Sequence, residues 1–199
     1  LLAAGAEWLE RRGVAEARLD CELLAARLLR LPRLSLAMES ERLLRPSEVE
    51  ALRRDVLRLG SGEPLQYVLA EWDFRGHTLT VDRRALVPRP ETEQLVQQLL
   101  DTPEVWRHPH PAIAVIGTGS GCIVIALTLE RTAGRYLAID REEGAVALAR
   151  ENAARHGVAE RIVFRRGEGC CGVAPGSLEA VVSNPPYIAT GALASLPRN

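Results

Sequence analysis

Residues 112–121 read AIAVIGTGSG, and the chain then resumes at once as CIVIALTLE. This junction limits the fold more than any other stretch. Five apolar residues in a row suit a strand buried on both faces. Three alternate glycines let the backbone turn sharply, and the apolar run after them is long enough for a helix. The same alternation continues downstream: RYLAID as a strand, EEGAVALARENAARHG as a helix, RIVFRR as a strand, then a loop and LEAVVS as a strand. Short apolar strands separated by helices predict an α/β class with a parallel sheet covered on both faces.

The glycine turn carries the first chemical signal. Gly117, Gly119 and Gly121 sit between strand and helix, where the backbone can approach a ligand and helix amides point at it. The spacing is GxGxG. It lacks the later glycine of the dinucleotide motif, which serves close packing of helix on strand, and it has no Gly-Lys-Ser/Thr of a P-loop. A nucleoside without phosphates is the expected ligand, and a nicotinamide dehydrogenase is disfavoured. Asp140 ends the next strand, where a carboxylate can accept hydrogen bonds from both ribose hydroxyls. Glu168 follows the third strand, where the edge of a base would lie, with Gly169 beside it. The fourth strand stops in AVVSNPPYIAT, because neither Pro185 nor Pro186 can donate a ladder hydrogen bond. Those prolines stiffen the exit loop and hold Asn184 and Tyr187 at the carboxyl end of the strand.

Residues 1–70 read as a small helical domain. In ARLDCELLAARLLR the expected apolar stripe is Leu19, Leu23, Ala26 and Leu29. In RPSEVEALRRDVLRLGSG, Ser47 with Glu50 matches a capping box, Val49, Leu52, Val56 and Leu59 form the stripe, and Gly60 is the expected stop. Residues 71–88 read as a β-hairpin linker turning at Gly76, and residues 89–199 as the strand-helix domain, whose first helix carries Pro90 in its first turn. The net charge of −1, with every basic residue an Arg, gives no signal for general nucleic-acid or acidic-membrane binding. Four cysteines without CxxC pairing or Cys/His ligand spacing suggest neither a zinc site nor a disulfide framework. His77, His108, His110 and His156 fall at structural positions. With no basic leader and no run long enough to span a membrane, a cytoplasmic protein is the expectation.

Together GTGSG, AID, VVSNPPYI, GEPLQYVLAEWDF and VPRPETE resemble the bacterial and organellar glutamine N5-methyltransferases that act on class 1 peptide-chain release factors. NPPY alone is shared with enzymes that methylate base amino groups; PRPETE before the glycine turn, with LQY earlier, narrows it. The resemblance implies a Rossmann-like class I S-adenosylmethionine-dependent methyltransferase sheet, preceded by the helical domain and hairpin. It implies S-adenosyl-L-methionine as cofactor, held by Gly117, Thr118, Gly119, Ser120, Gly121, Asp140, Glu168, Gly169 and Asn184. Asn184, Pro185, Pro186 and Tyr187 would bind the substrate glutamine, with Asn184, Pro185 and Tyr187 catalytic. Pro90, Glu91 and Thr92 would help cover the site. The partner implied is a release factor whose Gly-Gly-Gln loop enters the pocket, docked by the helical domain, with no nucleic acid, membrane or metal, and the enzyme a monomer. Alternatives are a ribosomal-protein glutamine methyltransferase and an inactive cofactor-binding fragment.

Three positions depart from the family pattern. Val115 stands where an acid is usual, Glu168 where Asp is usual, and Ala70 where Gly is common. The four strands fall short of the family's sheet, so the chain reads as truncated at its carboxyl end, with the Val181 strand an uncovered edge.

Overall fold

The computed structural model describes residues 1–39 and 41–185, which fall into two compact units. The first spans Leu1–Leu69 and the second begins at Ala70.

The first unit contains α1 (Leu2–Glu10), α2 (Ala17–Leu29), a 3-10 segment (Arg33–Glu39), α3 (Pro46–Gly60) and α4 (Leu65–Leu69). Helix α2 does not bury the expected stripe. Ala17, Cys21, Leu24, Ala25 and Ala26 are buried, whereas Leu19, Leu23 and Leu29 are only half-buried. The small residues let α1 come close: a Cβ at Gly5 would lie 3.3 Å from Cys21 Sγ. The orientation also turns Arg27 inward, where it donates to the Val68 and Leu69 carbonyls at 2.9 and 2.6 Å and to Asp55 at 2.8 Å. Those bonds satisfy backbone acceptors at the end of α4 that would otherwise be left open.

Helix α3 starts earlier than the Ser47/Glu50 pattern suggested. Pro46 occupies the first turn, and the reciprocal acid is Glu48, whose carboxylate accepts from the Arg45 backbone N–H at 2.8 Å and its guanidinium at 2.7 Å. Proline prefers that position, which shifts the frame. Gly60 is not the left-handed stop either. That conformation falls on Gly62, at φ +88°, while Gly60 makes room for the Trp8 ring, which a Cβ would meet at 2.1 Å.

The second unit opens with an antiparallel hairpin of β1 (Glu71–Phe74) and β2 (His77–Thr80). Sequence patterning suggests a linker, but Phe74 and Leu79 are buried in the unit's main core, so the hairpin is part of the packed body. Then come α5 (Pro90–Leu100), β3 (Ala112–Ile116), α6 (Cys122–Glu130), β4 (Arg135–Asp140), α7 (Glu143–Arg155), β5 (Ile162–Arg166) and β6 (Ala180–Ser183). The four strands after the hairpin form a parallel sheet in the order β5-β4-β3-β6. Every residue of α6 from Cys122 to Thr128 is buried, as a helix apolar on all sides requires.

The expectation of cover on both sheet faces is not met among the described residues. Residues of α5, α6 and α7 share one core with Ile113, Val115, Tyr136, Ala138, Ile162 and Val182, which lie on a single face. Across the other face runs the register row Val163, Leu137, Ala114, Val181, whose outer members are 65% and 53% exposed. Strand β6 forms one edge of this sheet.

Candidate active site

Because the four strands are parallel, their carboxyl ends bring one set of loops to one edge. Gly117 follows β3, Asp140 ends β4, Glu168 lies just past β5 and Asn184 just past β6. Strands β4 and β5 extend the sheet to one side of β3, and β6 returns to the other. The crevice between β3 and β6 is therefore the topological switch point, where open α/β sheets bind ligands. Ser183 ties that seam by donating from Oγ to the Ile116 carbonyl at 3.0 Å.

The glycine turn is built from three left-handed residues, with φ of +68°, +56° and +84° at Gly117, Gly119 and Gly121. They serve different ends. A Cβ at Gly117 would meet nothing within 4 Å, so the backbone there is open to a ligand, whereas one at Gly121 would meet Ala149 Cβ at 3.0 Å and Cα at 3.1 Å. Gly121 thus lets the start of α6 pack closely against α7.

Asp140 organises this turn as well as facing the edge. Its Oδ2 accepts from the Gly119 N–H at 3.0 Å and its Oδ1 from the Glu142 N–H at 3.1 Å, while Thr118 N–H bonds the Ile139 carbonyl at 3.0 Å. Each carboxylate oxygen can accept a further bond, so a ribose can still be held. Gly167 N–H donates to the Asp140 carbonyl at 2.9 Å, which draws the Glu168 loop alongside. Glu168 is exposed, and Gly169 is left-handed at φ +53°. Thr118 Oγ1 is buried without a hydrogen-bond partner among the described residues. Ser120 is equally buried, with the Cys122 thiol beside it; burial pushes that thiol up to about 11 despite the Ser120 contact.

Two further residues complete the arrangement and were not singled out for these roles from sequence. Asn152 on α7 is fully buried; its Oδ1 accepts from Thr80 N–H at 2.8 Å, and its Nδ2 donates to the Thr80 and Ser120 carbonyls, both at 2.9 Å. It therefore pins the glycine turn to the hairpin. Thr92, buried in the first turn of α5, accepts at Oγ1 from Asn184 Nδ2 at 2.9 Å. Asn184 and Pro185 are exposed, as are Pro90 and Glu91. Pro186 and Tyr187 lie outside the described residues. No group of three or more His, Cys, Asp or Glu side chains among the described residues is placed to hold a metal ion.

The edge therefore presents an open glycine backbone, a carboxylate with spare acceptors, and an asparagine amide across the seam. Two family models match the chain: the PrmC N-terminal domain over residues 1–69 and the methyltransferase small domain over residues 91–195. The release factor glutamine methyltransferase of Chlorobaculum tepidum is 36% identical over 203 aligned residues, covering 98% of this chain and 69% of its own length. The chain belongs to the release factor glutamine methyltransferase family.

The release factor glutamine methyltransferase of Nitratidesulfovibrio vulgaris is likewise 36% identical, over the whole of this chain and 66% of its own. The chain thus spans about two thirds of the length of these curated relatives. Among solved structures, an RNA methyltransferase from Salinibacter ruber in complex with S-adenosyl-L-homocysteine matches 49% of this chain and 60% of its own, at 27% identity and a TM-score of 0.41. Two departures from the release factor glutamine methyltransferase pattern gain a structural meaning. Val115 is fully buried in the core, an apolar contact where the family has an acid, and the Asp140 carboxylate holds Gly119. Ala70 adopts φ +61°, the conformation that favours the glycine common there.

Proposed function

We propose that this chain carries the cofactor and substrate-amide half of an enzyme that methylates the side-chain nitrogen of a glutamine, the one in the Gly-Gly-Gln loop of a class 1 release factor. The observation that carries the reading is the pairing across the switch point. A glycine turn braced by Asp140 stands on one side of the seam, and Asn184, its amide engaged by Thr92, on the other.

S-adenosyl-L-methionine, when bound, supplies a methyl group on a sulfonium centre. The groups present suit it: Gly117 gives open backbone, Asp140 has acceptors for ribose hydroxyls, and the buried Thr118 hydroxyl is a polar group without a partner among the described residues. Glu168 and Gly169 flank the base. A glutamine amide nitrogen is a poor nucleophile because its lone pair is delocalised into the carbonyl, so orientation and exclusion of water must do most of the work. Asn184 Oδ1 and the Pro185 carbonyl accept the two amide hydrogens, which turns the nitrogen toward the methyl group. The family resemblance assigns the flat face of the amide to Tyr187, with Pro186 also in the substrate set; both lie outside the described residues. The proton leaves after transfer, so no general base is needed before attack.

The helical first unit docks the release factor. The substrate is a protein rather than a nucleic acid, and the enzyme works as a monomer in the cytoplasm. No helix among the described residues is long and apolar enough to cross a membrane.

The test is incubation of the chain with a class 1 release factor and methyl-labelled S-adenosylmethionine, followed by peptide mass spectrometry. Label on the Gly-Gly-Gln glutamine, lost in Asn184→Ala, is expected. Label on no glutamine, or on a nucleic acid offered in parallel, refutes the assignment.

A further inference from the structure

We infer that Thr92 is a positioning residue: its hydroxyl anchors the Asn184 side-chain amide at the sheet edge. The inference rests on the function proposed above and adds to it the group that holds the substrate-facing amide in place.

An asparagine side chain offers a carbonyl at one end and an NH2 group at the other, nearly alike in shape and opposite in hydrogen-bonding sense. Only the carbonyl can receive an amide hydrogen. Thr92 accepts the Asn184 Nδ2–H at 2.9 Å, which leaves Oδ1 free for the substrate amide.

The bond matters because of what holds Thr92. It is 5% exposed and sits in the first turn of α5, just after Pro90 fixes the entry of that helix. Helix α5 is braced to the hairpin turn and to α6 through Arg75. The Arg75 backbone N–H donates to Glu93 Oε1 at 2.9 Å, and its guanidinium bonds Gln97 at 3.1 Å and both oxygens of Glu130 at 2.8 Å. Glu93 and Gln97 belong to α5, and Glu130 ends α6, whose first residue follows directly on the glycine turn. Thr92 therefore references Asn184, just past the edge strand β6, to the same group of elements that sets the cofactor turn.

Two variants test this in the chain as it stands. Thr92→Val keeps the shape and removes the acceptor; Thr92→Ser keeps the acceptor. With 15N-labelled asparagine, the Asn184 side-chain amide should give a shifted, slowly exchanging proton in the parent, lose it in Thr92→Val and regain it in Thr92→Ser. In the methylation assay, Thr92→Val should lower kcat about ten- to a hundredfold and be rescued by Thr92→Ser. An Asn184 resonance that is the same in parent and Thr92→Val overturns the inference, and so does an unchanged kcat. If the parent transfers no methyl group, the functional proposal fails, and the Asn184 resonance still decides whether Thr92 orients the amide.

Discussion

Replacing Asn152 with Ala should damage the second unit out of proportion to the few atoms removed. The side chain is fully buried and makes three hydrogen bonds of 2.8–2.9 Å, two to Thr80 and one to the Ser120 carbonyl. A typical bond contributes about 1 kcal/mol net, and a buried group left unpaired costs about 1–3 kcal/mol more. The Ser120 carbonyl is placed to incur that penalty, because the bond that satisfies it is itself buried. The sum is about 4–6 kcal/mol, which at this size corresponds to a fall of roughly 15 °C in Tm. Scanning calorimetry of parent and Asn152→Ala reads it directly. The same variant releases the glycine turn from the hairpin, so titration with S-adenosylhomocysteine should show at least about tenfold weaker binding, since partners that orient binding groups matter on that scale. A loss of stability below about 1 kcal/mol with unchanged affinity would refute the claim that Asn152 organises the turn.

Other substitutions probe separate parts of the account. Ala70→Gly should stabilise the chain by about 1 kcal/mol, because Ala70 holds φ +61° and glycine removes the left-handed penalty; equal or lower stability in urea unfolding would contradict this. Gly121→Ala should cost about 2–4 kcal/mol through strain plus overlap with Ala149, while Gly117→Ala, with open space around it, should cost only about 1 kcal/mol and chiefly weaken ligand binding; equal losses would show that both glycines serve packing. Glu48 carries a pH dependence. The Arg45 side chain, and next its backbone N–H, hold the Glu48 carboxyl below its ordinary 4.5. The folded value is the depressed one, so its contribution is complete above 4.5 and fades as pH falls through the folded value. Glu48→Gln should therefore be less stable than the parent at neutral pH and match it in acid, as followed by helical circular dichroism; a difference that persists in acid would rule out the ionised bond.

How much of this was legible in the sequence depends on where each residue's partner lies. The glycine turn was readable because left-handed backbone at alternate positions leaves glycine as the residue free of strain, and Asp140 because it ends an apolar run beside that turn. The packing role of Gly121 was not, since Ala149 belongs to a different helix. Asn152 in the middle of a helical pattern looks solvated; its partner Thr80 is 72 residues away. Thr92 and Asn184 are separated by 92 positions, so PRPETE and NPPY could be matched as motifs without disclosing that they touch. Local signals also misled where a stronger neighbour set the frame: Pro46 pulled α3 forward of the Ser47 pattern, and Arg27, drawn in by Asp55, rotated the buried face of α2.

The most direct test of the central claim is calorimetric titration of this chain with S-adenosylhomocysteine beside a folded Asp140→Ala variant. Saturable binding by the parent that the variant loses is the predicted result, since Asp140 both braces the glycine turn and offers acceptors to the ribose. A folded parent that binds nothing, or a variant that binds as well as the parent, would contradict the assignment of the sheet edge as a methyl-donor site.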